Sequence, residues 1–361
     1  MRIIDEAVLE DLALGAAVLG TGGGGDPYIG KLMARQAIRD YGPVELYTLE
    51  ELDDDDLVVP TAMMGAPTVM VEKMPNGDDI VNAFQSVGRY IGKPVKATMS
   101  IEAGGLNSVV PIYCAARLRV PMVDCDGMGR AFPEIQMVTH TIHGISSTPF
   151  AMSDERGNTV LMETVSNLWT ETFARSVTVN MGAMAMIALY AATAAQLREA
   201  AIPGTITLAE EIGKVVRRAR LEEDEPVETI REAVGGYLIF KGKIGDVERR
   251  TEAGFAKGDA TIEGIDEYAG QKLQLSFQNE HLAARIDGEF KVTVPDLLAV
   301  LDVDTGEPIT TEGLRYGFRV AIIAIPCAEK WRSPKGLEIV GPGYFGYDTE
   351  YVPVEQTYGA N

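Results

Sequence analysis

Residues 95–126 read VKATMSIEAGGLNSVVPIYCAARLRVPMVDCD. Val95–Ile101 is a short strand-like run, Leu106–Leu118 an apolar segment of helical length, and Pro121–Asp124 a second short run. Strand, helix and strand in succession imply α/β layering. The alternation extends toward the N-terminus. Residues 5–19 space Ala7, Val8, Leu12, Leu14 and Val18 as a helix would. Asp26-Pro27 signals a helix start, with a capping carboxylate followed by the ring tolerated at the first helical position, and that helix should run to about Asp40. Strands are expected at Val44–Tyr47, Leu57–Met64 and Thr68–Glu72, and a helix at Asp78–Tyr90. Such layering places binding loops at the carboxyl ends of the strands.

Beyond residue 165 the pattern changes. Ser166–Val234 reads as helical. Its uncharged stretch Val177–Leu197 is long enough for a membrane span, but its alanines and its polar Thr178, Asn180 and Gln196 favour a helix buried between layers. After Gly235-Gly236 come short strand-like runs separated by Gly, Asn or Asp: YLIFKGKI, DATIEGI, KLQLSFQN, HLAARIDG, FKVTVPD, LLAVLDV and FRVAIIAIP. Many short strands predict a barrel or sandwich. The expectation is thus an α/β N-terminal domain at 1–165 and a C-terminal domain at 166–361, helical to about 235 and β-rich thereafter.

Over 361 residues the net charge is −21, which argues against binding nucleic acid or an anionic membrane surface, since both are polyanions. Three widely spaced cysteines suggest neither a disulfide framework nor a zinc ribbon. The first residues, MRIIDEAVLEDLALG, carry acids where a signal peptide carries a basic start, so a cytoplasmic protein is expected.

Four groups of residues offer chemistry. The loop Gly20–Asp26 holds five glycines. Glycine lets a ligand reach backbone N–H groups, and the helix starting at Pro27 favours negative charge nearby, so Gly22, Gly23, Gly24, Gly25 and Asp26 are substrate-binding candidates. A helix rather than a strand precedes this loop, and Asp26 stands where a phosphate loop needs Lys, so no nucleotide cofactor is expected. Glu102 and Asn107 flank Gly104-Gly105 at a strand end; Asn107 reads equally well as a helix cap. Asp124 and Asp126 alternate along an extended chain and so point the same way. Two neighbouring carboxylates push their proton affinities apart, and Arg130 could neutralise one or fork onto a substrate carboxylate. Glu134, four residues beyond Arg130, could instead form a structural pair with it. His140 and His143 would share a helical face and, with an Asp, could bind zinc, although the motif lacks the Glu of a zincin. Cys125 sits between two anions and is a poor thiolate; Cys114 reads as core and His281 as surface. Trp331, Phe345 and Tyr347, among prolines and glycines, read as a pocket wall or a domain clasp.

Taken together, GTGGGGDP (20–27), IEAGGLNS (101–108), VDCDGMGRAFPEIQM (123–137) and GLEIVGPGYFGYD (336–348) resemble the S-methyl thiohydantoin desulfurase family, a hydantoinase-associated group. The resemblance runs through nearly the whole chain in the same order. It implies an α/β domain followed by a β-rich domain, chemistry on thiohydantoin or hydantoin-like rings, and Gly22–Asp26, Glu102, Asn107, Asp124, Asp126, Arg130 and Glu134 as pocket residues.

The expected reaction is hydrolytic removal of sulfur from such a ring. Asp124 or Asp126 would deprotonate water, the glycine loop and Arg130 would stabilise the developing charge, and Glu102 or Glu134 would protonate the departing sulfur. A divalent metal such as zinc could replace the base. The alternatives are an amidohydrolase or a subunit of a hydantoin- or oxoproline-processing complex, and a non-catalytic binder of small metabolites. A homo-oligomer is expected, as for many enzymes of this size.

Overall fold

The computed structural model describes residues 1–65, 69, 76–222, 225–252 and 255–359. The expected strand Thr68–Glu72 lies, Val69 apart, outside them.

The chain opens with β1 (Arg2–Ile4) and helix α1 (Glu6–Leu19), whose N-cap Asp5 accepts hydrogen bonds from the amides of Ala7 and Val8, each at 3.0 Å. Helix α2 (Pro27–Tyr41) is capped by Asp26, which accepts from the Tyr28 amide at 2.8 Å. Then follow β2 (Val44–Tyr47), β3 (Leu57–Gly65), α3 (Asp78–Ile91), β4 (Ala97–Ser100), α4 (Val110–Leu118), β5 (Met122–Val123) and β6 (Cys125–Asp126). The expected helix Leu106–Leu118 is split. A 3-10 turn occupies Gly105–Ser108, and α4 starts afresh at Val110 with Pro111 in its first turn, where a missing N–H costs nothing. Next come α5 (Thr139–Ile142), β7 (Phe150–Ser153), β8 (Thr159–Met162), α6 (Asn167–Asn180), β9 (Met184–Ala188), β10 (Ala192–Thr193), α7 (Ala194–Ala200), β11 (Ile202–Pro203), α8 (Thr205–Glu222) and α9 (Pro226–Ala233).

The first sheet runs β1-β2-β5-β4-β3-β9-β7-β8, with β10 also on β3. Its centre, β2-β5-β4-β3, is parallel, and the strands on either side are antiparallel. The buried helix expected at Val177–Leu197 is corrected here. Only its two ends are helical, in α6 and α7; Met184–Ala188 is a strand between β3 and β7, buried at every position. A continuous apolar run reads alike for a core helix and a doubly covered strand, and only a partner decides. Pro60 sits within β3, where it lacks an N–H. The pairing of β3 on that side breaks at this point, passing from β10 at Leu57–Val58 to β9 at Thr61–Gly65.

The second sheet contains β12 (Tyr237–Glu252), β13 (Phe255–Gly264), β14 (Lys272–Gln278), β15 (Glu280–Ile286), β16 (Glu289–Thr293), β17 (Leu297–Asp302) and β18 (Arg319–Ile325). It is antiparallel throughout, in the order β16-β15-β14-β13-β12-β18-β17. It curls into a half-barrel, so β15 meets β17: His281 Nδ1 lies 2.9 Å from the Leu298 carbonyl oxygen. Period two decides what each face covers. Leu298, Val300, Val320 and Ile322 fill the half-barrel, whereas Leu297, Ala299, Leu301, Ala321 and Ile323 join the core of the α/β body. One apolar core therefore runs from the helices through the outer face of β17 and β18.

The C-terminal segment returns to the first body through α10 (Pro334–Val340) and ends in α11 (Val354–Tyr358). Of the two readings of its aromatics, Trp331 takes the clasp. It is fully buried, donates from Nε1 to the Met128 carbonyl at 2.7 Å, and stands edge-on to Phe132 at 5.3 Å. Among the described residues, no helix is long and apolar enough to cross a membrane.

Helices α1 and α8 touch backbone to backbone. A Cβ on Gly15 would lie 1.7 Å from the Ala209 carbonyl oxygen, and one on Gly213 would lie 1.7 Å from that of Asp11. The Asp11 carboxylate then takes Arg217 in a fork, at 2.7 and 3.0 Å. Gly213→Val must push the helices apart, and overpacking of this kind costs about 1–3 kcal/mol. Urea unfolding should show a loss at or above that range, while Arg217→Ala, on a side chain with 55% exposure, should cost less.

Candidate functional site

The loop after α1 is gripped from both halves of the molecule. His281 of β15 donates its amide to the Thr21 carbonyl, and Thr311 donates its own to that of Gly22, both at 2.8 Å. From the other side, the Leu106 amide donates to the Gly24 carbonyl at 2.9 Å. Gly22 has φ +83° and faces the His281 ring, while a Cβ on Gly23 would stand 2.1 Å from Glu280 Oε1. Close packing against β15 thus accounts for these glycines as directly as ligand access does. His281, read from sequence as a surface residue, is fully buried here. A strand that curls back onto another layer buries positions that local pattern leaves open.

Arg130 stands behind the loop with no exposed surface. Its guanidinium donates to Thr21 Oγ1 at 3.0 Å and to the carbonyls of Ala131 (3.1 Å), His281 (2.9 Å), Pro295 (3.1 Å) and Asp296 (2.7 Å). It also lies 4.5 Å from the Phe132 ring centroid. The expected fork onto an aspartate, a substrate or Glu134 is replaced by a fork onto neutral acceptors that tie the two bodies together. Burial pulls its pKa down to about 10, against the opposing pull of Glu280.

A cleft of about 700 Å³, counting its open mouth, lies where the glycine loop, β3, the 101–107 turn, residues 128–135, α6 and the β14–β15 hairpin converge. Of the sequence candidates, Gly23, Gly24, Glu102, Asn107 and Glu134 line it. Asn107 is held by Met63, whose amide donates to Oδ1 at 2.7 Å, so its Nδ2 must face Glu102, to which it donates at 2.5 Å. It is therefore a positioning residue rather than a helix cap. Burial raises the Glu102 carboxyl to about 7, against the lowering effects of Asn107 and the Phe132 amide and with a small push from Asp126.

Three further residues complete the wall without any local sequence signal: Glu280, Glu312 and Arg175. Glu280 follows Asn279, whose φ of +57° closes the β14–β15 hairpin in a single residue. Burial, and then the neighbouring Glu102, raise its carboxyl well above the ordinary range, and its Oε2 has no hydrogen-bond partner. Glu312 is raised by burial as well. Arg175 of α6 binds Glu171 and the Pro133 carbonyl and lies over the Phe255 ring at 4.4 Å. Glu134 at the rim accepts from the Tyr344 hydroxyl at 2.6 Å.

The remaining candidates lie outside the cleft. Asp124 and Asp126 take different partners. Asp124 accepts from the amides of Ile206 (3.0 Å) and Thr207 (3.1 Å) and from the Thr207 hydroxyl, which makes it a cap for α8. Asp126 accepts from the amides of Ala103, Met128 and Gly129 at 2.5–3.0 Å and knits the two loops behind Glu102; burial raises it to about 7. Gly22 and Gly25 are in the loop but off the cleft wall, and Asp26 is exposed on the far side as the α2 cap. His140 is fully buried beside Tyr190, 5.4 Å between centroids, with its pKa pulled to about 3 by burial, whereas His143 is exposed. The four-residue α5 is too short to align the two, and among the described residues no three His, Cys, Asp or Glu side chains gather as metal ligands. Cys125 is buried and its thiol pushed up, first by burial and then by both aspartates.

Raised carboxyls make stability fall with pH. Folding favours the protonated form of Glu102, so its contribution is complete below the ordinary carboxylate range and is lost as pH rises through about 7. Glu102→Gln, always neutral, should gain on the parent protein by about 1–3 kcal/mol between about pH 5 and 8. Urea denaturation across that range measures the difference, and a pH-independent difference would contradict the assignment.

The family model of the S-Me-THD-like N-terminal domain matches residues 7–164, and that of the C-terminal domain matches residues 165–354. A crystal structure of a protein from Chromobacterium violaceum has the same fold, with a TM-score of 0.80 at 23% identity over 98% of this chain and 100% of that one. No curated protein matches the chain. With both domain models matched in order along its length, the chain belongs to the S-Me-THD-like family.

Proposed function

We propose that this protein hydrolyses a thiohydantoin-type five-membered ring at the carbon bearing sulfur, releasing a thiol, with Glu102 and Glu280 as its acid–base pair. The observation that carries this reading is the pairing of two buried carboxyls, one from each half of the molecule, on the wall of one cleft. Two such groups that repel each other's charge share protons unequally, which supplies a base and an acid at neutral pH. Methionines 63, 64 and 128 line the same cleft and suit a soft sulfur substituent.

An S-alkyl ring carries its sulfur on the carbon of a C=N bond. Water's oxygen bonds to the ring carbon while Glu102 takes its proton. The C=N electron pair moves to nitrogen, which takes the proton of Glu280. Collapse of the tetrahedral species re-forms C=O and returns the hydroxyl proton to Glu280. The C–S bond breaks and the thiolate leaves with the proton from Glu102. The products are the oxygen ring and a thiol, and both carboxyls return to their starting states. Asn107 holds Glu102 in place throughout, and the Gly24 amide and the residue's own amide do the same for Glu280.

Catalysis then requires Glu102 ionised and Glu280 protonated. Thiol release from S-methyl thiohydantoins should climb with pH through about 7 and decline at higher pH as Glu280 loses its proton. Glu102→Gln and Glu280→Gln should each lower kcat by about 10²–10⁴-fold. Retention of turnover within a few-fold in both variants would refute the assignment of the pair, and absence of release from a panel of such rings by the folded parent protein would refute the reaction.

A further inference from the structure

Four carboxyls line the cleft: Glu102 and Glu134 from the first body, Glu280 and Glu312 from the second. Among the described residues the wall sets one cation against them, Arg175, which is already engaged by Glu171 at 2.8 Å, the Pro133 carbonyl at 3.2 Å and the Phe255 ring. The charges behind the wall are committed too. Arg130 binds neutral acceptors, and Arg249, near Glu312, donates to the carbonyls of Thr311 and Leu314. Asp126 adds a further carboxyl behind Glu102. The four wall carboxyls are unequally satisfied. Glu134 has the Tyr344 hydroxyl and the Gln136 amide, Glu102 has Asn107, and Glu312 has the Thr311 hydroxyl at 3.4 Å. Glu280 is 3% exposed; its Oε1 stands against Gly23, and its Oε2 meets no donor. A buried acceptor without a donor costs free energy that a ligand's N–H recovers.

We propose that the cleft takes its ligand as a cation, a planar five-membered ring bearing an amidinium or guanidinium group whose N–H donors meet Glu280, Glu102 and Glu312. Adjacent N–H groups of such a ring fork onto a carboxylate as those of arginine do. Met63, Met128 and Phe132 offer its flat faces polarisable surfaces. A bare metal ion is a poorer match, because among the described residues no three His, Cys, Asp or Glu side chains gather as metal ligands, whereas a ring spreads its donors around its edge. Burial holds Glu102, Glu280 and Glu312 toward their protonated forms. A cation entering among them reverses that preference, so binding expels protons and affinity rises with pH through about 7. A ring that enters as a cation brings to its nitrogen the proton that Glu280 otherwise supplies. As a statement about substrate this rests on the hydrolysis proposed above; as a statement about binding it does not.

Titration calorimetry on the full chain tests this with two sulfur-free probes of one ring size: ethyleneguanidine, a cyclic guanidinium, and ethyleneurea, its neutral counterpart. Salt at about 0.15 M screens the field of the net −21 charge. Ethyleneguanidine should bind at least about ten-fold more tightly than ethyleneurea at about pH 7, release protons at about pH 6 in buffers of differing ionisation enthalpy, and tighten as the pH rises. Glu280→Gln and Glu312→Gln should each weaken the cation about ten-fold and leave the neutral ring within about two-fold. Glu312 is only half-buried, so its variant keeps the test decisive should Glu280→Gln fail to fold. Absence of cation binding, equal affinities for the two rings, cation binding without proton release, or cation binding unchanged in both variants would overturn the proposal. Neither probe carries sulfur, so these outcomes are separate from the test of thiol release.

Discussion

A single buried cation sets the terms for the rest of the structure. Arg130 has no solvent and no carboxylate in direct contact; it spends its donors on the Thr21 hydroxyl and four main-chain carbonyls. Removing a guanidinium from water is expensive, and its lowered proton affinity registers that expense. The expense is offset only if every acceptor stays in place. The α1–α2 loop, the start of β15 and the β16–β17 connection must therefore arrive together. Their convergence holds the glycine loop against Glu280 and so brings carboxyls from two bodies into one cleft.

That cleft works against the fold that holds it. Glu102, Glu280 and Glu312 are all more easily buried neutral than charged, and Arg130 only partly relieves Glu280. A protein selected for stability alone would fill these positions with amides or apolar groups. Asn107, whose orientation is dictated by the Met63 backbone, exists at the boundary of the two demands. It satisfies Glu102 without neutralising it.

Much of the first body was legible because its signals are local. Asp26-Pro27 caps α2 as its chemistry demands, and the strand–helix alternation gave β4, α4 and β5 to within a few residues. The strand-like runs of the second half all found places in the curled sheet. What local pattern missed has physical causes. Met184–Ala188 is covered on both faces, so it lost the alternation that marks a strand. Glu280 enters the cleft only because the sheet curls and Asn279 turns the chain in one residue, and no spacing within the sequence announces either event. Asp124 and Asp126 looked catalytic because clustered acids at a strand end serve equally well to cap a helix and to tie loops together. His281 looked superficial for want of any sign that β15 would be overlaid by the glycine loop.

The place of β9 in the first sheet bears on how the protein is made. As the chain leaves the ribosome, β3 appears early and has β4 to pair with soon after. Its other edge stays unpaired until Met184–Ala188 has been synthesised, more than a hundred residues later. Throughout that interval a nascent chain displays an apolar strand edge, and Pro60, which withholds one N–H from that edge, makes it a poorer template for a stranger.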